Sequence, residues 1–229
     1  MSELDIVRDL AKQVLIIPTL NGFYDSSLWD RAQRLVRNVE HISRLPELGK
    51  AGLQTDRFCL ITATYFSDAG LACHLKAGNS IEKFDNNGDD TMDCCRKVVE
   101  EKLSRVVSGA KIDIINKIIA ESHSRDTRMT EAMILSDARN VDDMGATGIF
   151  SEFRRYVNSG KSVSDAVNIW KRKVDYGYWQ ARLKESFRIE SVQRLAEKRL
   201  LAVESFMNQL QVENTAGDFE EFFIDSTVI

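Results

Sequence analysis

The run Leu60-Ile-Thr-Ala-Thr-Tyr-Phe-Ser-Asp-Ala-Gly70 constrains the fold more than any other stretch. It is apolar and helix-compatible, and a Ser67-Asp68 pair closes it just before a glycine. A carboxylate at the end of such a run is costly to bury unless a charged group meets it. The fold must therefore deliver a partner to Asp68.

The remaining apolar residues recur at helical spacing, and none alternates as a strand would. Leu4, Val7, Leu10, Ala11 and Val14 predict a helix over 3–15. Pro18-Thr-Leu-Asn-Gly22 reads as a turn. Tyr24-Asp-Ser-Ser27 offers N-caps for a second helix, with Leu28, Ala32, Leu35, Val36, Val39 and Ile42 on one face, stopping near Leu45-Pro46. Gly49-Lys-Ala-Gly52 reads as a loop, and the Ser67-Asp68 helix starts near Thr55 or Asp56. Residues 77–91 form a polar excursion. Its Asp85-Asn-Asn-Gly-Asp-Asp90 segment misplaces the glycine and lacks the closing glutamate of a calcium-binding EF-hand. Helices are expected over 92–107, over 111–122 with Ile114, Ile115, Ile118 and Ile119 buried, and from Thr130 after a loop at 123–127. Ser162 or Ser164 caps a helix carrying Val167, Ile169, Trp170 and Val174. A long last helix over 187–212 carries Ile189, Val192, Leu195, Ala196, Val203, Phe206 and Leu210. The tail from Asn214 to Ile229 is acidic, with Phe219, Phe222, Phe223 and Ile224. The class is all-α.

Composition excludes several functions. The longest apolar run, Val14-Leu-Ile-Ile17, is too short to span a bilayer. A net charge of −4 and a pI near 5.5 give no basic footprint for nucleic acid. The N-terminal MSELDIVRDL lacks a signal-peptide core, so the expected compartment is the cytoplasm. Cys59, Cys73, Cys94 and Cys95 show neither zinc spacing nor a disulfide framework and read as reduced thiols. There is no Gly-rich phosphate loop after a strand and no Gly-x-Ser-x-Gly elbow. The histidines are His41, His74 and His123.

The segment Ile134-Leu-Ser-Asp-Ala-Arg-Asn-Val-Asp-Asp-Met-Gly-Ala-Thr-Gly-Ile149 is more specific. An apolar lead-in runs into Asp137, and Gly145 to Gly148 are small residues that let helices approach closely. Here the chain resembles the HD-domain metal-dependent phosphohydrolases, in particular their small bacterial branch. That branch carries a stretch like Leu-x-Asp-Ala-Asp-Arg-Leu-Asp-Ala-Leu-Gly-Ala-x-Gly-Ile. Asp137 takes the place of its metal aspartate, and Asp142, Gly145, Ala146, Gly148 and Ile149 also match. Ile119-Ala-Glu-Ser-His123 is similar to the branch's Ile-x-x-His segment. Ala63 to Gly70 stands for Leu-Leu-His-Asp-Ile-Gly, and Trp29 to Arg37 stands for Trp-x-His-x-x-Arg-Val. The resemblance covers about 25–157. It implies one HD-like helical domain over 1–213, extended by C-terminal helices at about 162–213 and followed by the tail 214–229.

The departures shape the functional expectation. The family holds its metal with a histidine, a His-Asp pair and a distant aspartate. Here Arg31 and Ser67 replace the histidines, leaving Asp68 and Asp137. Taking His41 as the first ligand instead would leave Trp29, Arg34 and Val36 unmatched and place Pro46 shortly after it. Two carboxylates without imidazoles suit transition metals poorly. Two unit charges about 4 Å apart at an effective dielectric near 20 interact by about 4 kcal/mol. For a divalent ion beside Arg31 that is repulsion, and for Asp68 and Asp137 it is attraction. Arg31 is therefore expected to bridge the two aspartates. The expected protein is a catalytically degenerate HD-domain member that binds a small phosphorylated or anionic ligand or a partner, with no metal. Arg31, Ser67, Asp68, His123, Asp137 and Asp142 form its former metal site. One alternative is an active phosphohydrolase using Mg²⁺ or Mn²⁺ on Asp68 and Asp137 with His123 assisting. Another is a self-associating scaffold, a homodimer built by the last helix and tail.

Overall fold

The computed structural model describes residues 2–19, 21–50, 55–78 and 88–219. In chain order the elements are α1 (Glu3–Leu15), β1 (Ile17–Pro18), β2 (Tyr24–Asp25), α2 (Ser27–Ile42), α3 (Pro46–Lys50), α4 (Arg57–Phe66) and α5 (Ala69–Lys76). There follow α6 (Gly88–Leu103), α7 (Gly109–Glu121), α8 (Thr130–Asp142), α9 (Ala146–Asn158), α10 (Val163–Asp175), α11 (Tyr178–Ser186) and α12 (Glu190–Asn214). The protein is all-α, as the spacing predicts. The one sheet among the described residues is antiparallel, pairing Ile17 with Asp25 and Pro18 with Tyr24 across the predicted turn. No helix of the described residues is long and apolar enough to cross a membrane.

The chain forms two compact units, Met1–Arg139 and Asn140–Ile229. In the first, α4 is central and packs against α1, α2 and α7. It is buried nearly all round, from Cys59 through Thr64 and at Phe66, which explains why its sequence is apolar on every face. Asp56 caps it by accepting from the Cys59 amide at 3.0 Å. The Glu131 carboxylate, in the first turn of α8, accepts from the Asp56 amide at 2.9 Å and ties α8 to the start of α4. Beyond α4, α5 and α6 lie close together. A Cβ added at Gly70 would sit 2.1 Å from the Thr91 carbonyl oxygen, so only glycine permits this approach.

In the second unit, α12 packs against α9, α10 and α11. Ser162 caps α10 through a reciprocal bond with Asp165. Gly145 has φ 84, and the open side where its Cβ would be faces the Arg199 side chain of α12. Gly148 instead fits against the Asp143 carbonyl of its own connecting turn, 2.0 Å from where its Cβ would stand. Glu152, which pairs with Lys173, also accepts from the Tyr156 hydroxyl at 2.6 Å. That polar group borders an apolar recess lined by Phe153, Trp170 and Met207.

Several boundaries differ from the sequence expectation. Pro46 opens the short helix α3 rather than ending a longer α2, because proline at a first helical position lacks only an amide that has no partner there. Helix α6 starts at Gly88, inside the polar run, where Asp90 suits a helix N-terminus. Helix α11 was not anticipated. It follows Gly177, whose φ of 64 reverses the chain. Ile114, Val174, Leu195 and Phe206, expected on buried faces, are exposed. Residues 51–54 of the predicted loop, 79–87 of the polar excursion, and Phe222, Phe223 and Ile224 lie outside the described residues.

Candidate functional site

Asp68 stands where α4 gives way to α5. It occupies the N-cap position of α5 with φ −106 and ψ 13, yet its carboxylate makes no capping bond. Arg31 of α2 takes that carboxylate instead. Its Nη1 donates to Oδ2 at 2.7 Å and to Oδ1 at 3.0 Å. One guanidinium nitrogen thus straddles both oxygens, unlike the two-nitrogen fork common in such pairs. The Asp68 side chain is 5% exposed and that of Arg31 19%. Helix α2 delivers Arg31 because Leu28, Trp29, Ala32, Leu35 and Val36 bury the adjoining face. Trp29 also stacks on Tyr65 of α4, with ring centroids 5.8 Å apart and planes 13° from parallel. This stacking fixes α2 against the end of α4.

A second cation reaches the same carboxylate, and the sequence reading missed it. Arg139 of α8 places Nη2 3.6 Å from Asp68 Oδ1. Its Nη1 approaches the Ser67 carbonyl at 3.5 Å and His123 Nε2 at 3.4 Å. The signal was in the sequence. In the alignment that the HD-domain resemblance implies, Arg139 falls opposite the second aspartate of the stretch Asp-Ala-Asp, a residue of opposite charge.

An arginine can only donate, so His123 Nε2 accepts and the neutral ring carries its proton on Nδ1. Burial pushes the His123 pKa down, Arg139 pushes it further, and Asp68 opposes, leaving it at about 4. Part of the residue remains in contact with water. For Asp68, burial pushes the carboxyl up, but Arg31 and Arg139 outweigh it and hold it below the usual carboxylate range. These directions set the acid response. An unfolded histidine takes up a proton near 6.5 and His123 in the fold near 4. Between those values the unfolded chain binds more protons, so stability falls as pH drops through that window. The Asp68 contribution is full at neutral pH and is lost only in stronger acid. Nitrogen-detected NMR should find the His123 ring neutral, protonated on Nδ1 and not titrating between about pH 5 and 8. A midpoint near 6.5 would contradict the Arg139 contact.

The structure brings Arg31, Ser67, Asp68 and His123 together, with Arg139 joining them. Ser67 turns its hydroxyl inward, donating to the Thr64 carbonyl at 3.0 Å. Asp137 is buried at 0% exposure on α8, two residues before Arg139. Asp142 is buried at the end of α8 and belongs to the second unit, where Thr147 Oγ1 donates to its carbonyl at 3.1 Å. His41 lies on α2 ten residues after Arg31, about 15 Å along the axis, and is exposed. His74 is buried on α5 with its Nε2 3.9 Å from an Asp90 carboxylate oxygen.

These donors do not suit the metal that the family resemblance implies. Among the described residues, no group of three or more His, Cys, Asp or Glu side chains is arranged to hold an ion. Asp68 already has two guanidinium groups on its oxygens. Each would repel a divalent cation placed there.

The helical architecture is shared with solved bacterial proteins. Bacillus subtilis YpgQ in complex with ADP matches with a TM-score of 0.60 and 19% identity, over 93% of this chain and 97% of that one. A further YpgQ structure gives 0.59 and 18%, with the same coverage. The Lin1889 protein of Listeria innocua gives 0.57 and 16%, over 94% of this chain and 98% of that one. At these identities the likeness establishes the fold. No family model matches the chain, and no curated protein matches it.

Proposed function

We propose that this chain is a catalytically degenerate HD-domain protein that binds a small phosphorylated ligand without a divalent ion. The observation that carries the reading is Arg31 Nη1 resting on both oxygens of Asp68, at 2.7 and 3.0 Å. In this reading Arg31 supplies the positive charge that an ion supplies elsewhere in the family, and Asp137 is the second carboxylate it serves. Arg139 and His123 form the ligand-facing side. The Arg139 side chain is 21% exposed, which leaves it accessible to an anion. A guanidinium suits phosphate oxygens because its donors are planar and permanently charged. A fold neighbour was solved with ADP, which makes a nucleoside diphosphate the first ligand to test.

Calorimetric titration with ADP separates this reading from its alternatives. Binding is expected to persist in chelator and to weaken about tenfold in Arg139→Ala, the loss of one charge-assisted hydrogen bond. Adenosine, which lacks phosphate, is expected not to bind. Metal-dependent release of phosphate or pyrophosphate, abolished by Asp68→Ala, would overturn the proposal in favour of an active phosphohydrolase.

A further inference from the structure

We propose that Cys73 and Cys94 are an oxidant-sensitive dithiol that closes to a reversible disulfide between α5 and α6. The inference is independent of the ligand reading. It rests first on distance, because the two sulfurs lie 3.0 Å apart. A disulfide bond is about 2.05 Å long, so closure needs a movement of about 1 Å. The backbone explains why they meet. Gly70 lets α5 lie against the Thr91 carbonyl of α6, and Cys73 and Cys94 each follow three residues later on those helices.

Accessibility distinguishes this pair from the other two cysteines. Cys73 and Cys94 are partly exposed, whereas Cys59 and Cys95 are buried. Burial pushes the thiol of Cys59 up to about 12 and that of Cys95 up to about 11. The Cys94 thiol is pushed up to about 11, chiefly by its hydrogen bond to Cys73, in which either sulfur can donate. Either sulfur can be oxidised first, and its neighbour 3.0 Å away then resolves it.

With hydrogen peroxide as the oxidant, the thiolate of one member of the pair attacks one oxygen and the O–O bond breaks. A sulfenic acid forms and the first water leaves. The sulfur of the other member then attacks the oxidised Sγ, the S–O bond breaks and the second water leaves. Two thiol protons and two electrons pass to the peroxide, and one S–S bond forms.

The test uses the full chain, reduced, desalted and treated with hydrogen peroxide. The expected product has lost two of its four titratable thiols and about 2 Da of intact mass, and dithiothreitol restores both. Tryptic peptides 58–76 and 84–96 should be linked, with fragmentation placing the bond between Cys73 and Cys94. Disulfide closure should raise Tm by about 5 °C, an increase that reductant removes. Cys73→Ser and Cys94→Ser, each checked for an unchanged reduced Tm, should form no internal link. Sulfinic acid at either position with no link would overturn the proposal. So would a link to Cys59 or Cys95, or a bond between two chains.

Discussion

Arg31→Ala should lower the free energy of unfolding by about 3 kcal/mol, the low end of the range for breaking a buried ion pair. It falls at the low end because Arg139 stays 3.6 Å from the abandoned carboxylate. For a chain of this size the loss corresponds to roughly 5 to 10 °C in Tm. Arg31→Met keeps the length of the side chain without its charge and should cost about as much. Arg31→Lys should recover a large part of the loss, because a single nitrogen makes the bond to both Asp68 oxygens. Thermal and urea unfolding of the three variants checks the claim. If all three behave alike, packing of the side chain and not its charge sets the cost.

The second large effect is a gain. Replacing Arg31 and Ser67 by histidine and Arg139 by aspartate restores the residues that the HD-domain resemblance places at those positions. The triple variant should take up Mn²⁺ or Zn²⁺ with an affinity at least about a thousandfold above that of the wild type. The estimate is a lower bound, because each guanidinium about 4 Å away repels a divalent ion by about 8 kcal/mol, twice the value for two unit charges. The Arg31→His, Ser67→His double variant keeps Arg139 and should fall well short of the triple. Calorimetric metal titration and elemental analysis read the result. Equal affinities for double and triple variants would show that Arg139 does not guard the site.

Helices whose buried face recurs regularly are legible in the sequence. Helices α1, α2, α7, α8 and α10 are legible because Val7, Leu35, Ile118, Leu135 and Trp170 sit on consistent stripes. Helix α4 is legible as an apolar run, but the one helix expected through Ser67-Asp68 is two, divided between Phe66 and Ala69. The Arg31–Asp68 pair is expected from the alignment that the HD-domain resemblance implies, as half of a bridge from Arg31 to Asp68 and Asp137, and Arg31 does meet Asp68. What the sequence did not show has other causes. Helix α3 is one short turn opened by a proline. The start of α6 is polar and carries Asp90, which favours a helix N-terminus without showing hydrophobic periodicity. The exposure of Ile114 and Leu195 depends on which neighbours pack alongside, and a single helix pattern does not contain that information. Arg139 escaped notice because its role depends on the direction in which α8 presents it. The opposite charge at its position in the implied alignment was the one clue available in advance.

The break between α4 and α5 has a mechanical consequence. The residue that opens α5 is also the counter-ion of two arginines. The heading of the chain as it leaves the central helix is thereby coupled to the local electrical balance. An incoming anion that drew the arginines toward itself would release Asp68 from their grip, and the first turn of α5 would register that competition as a change in order.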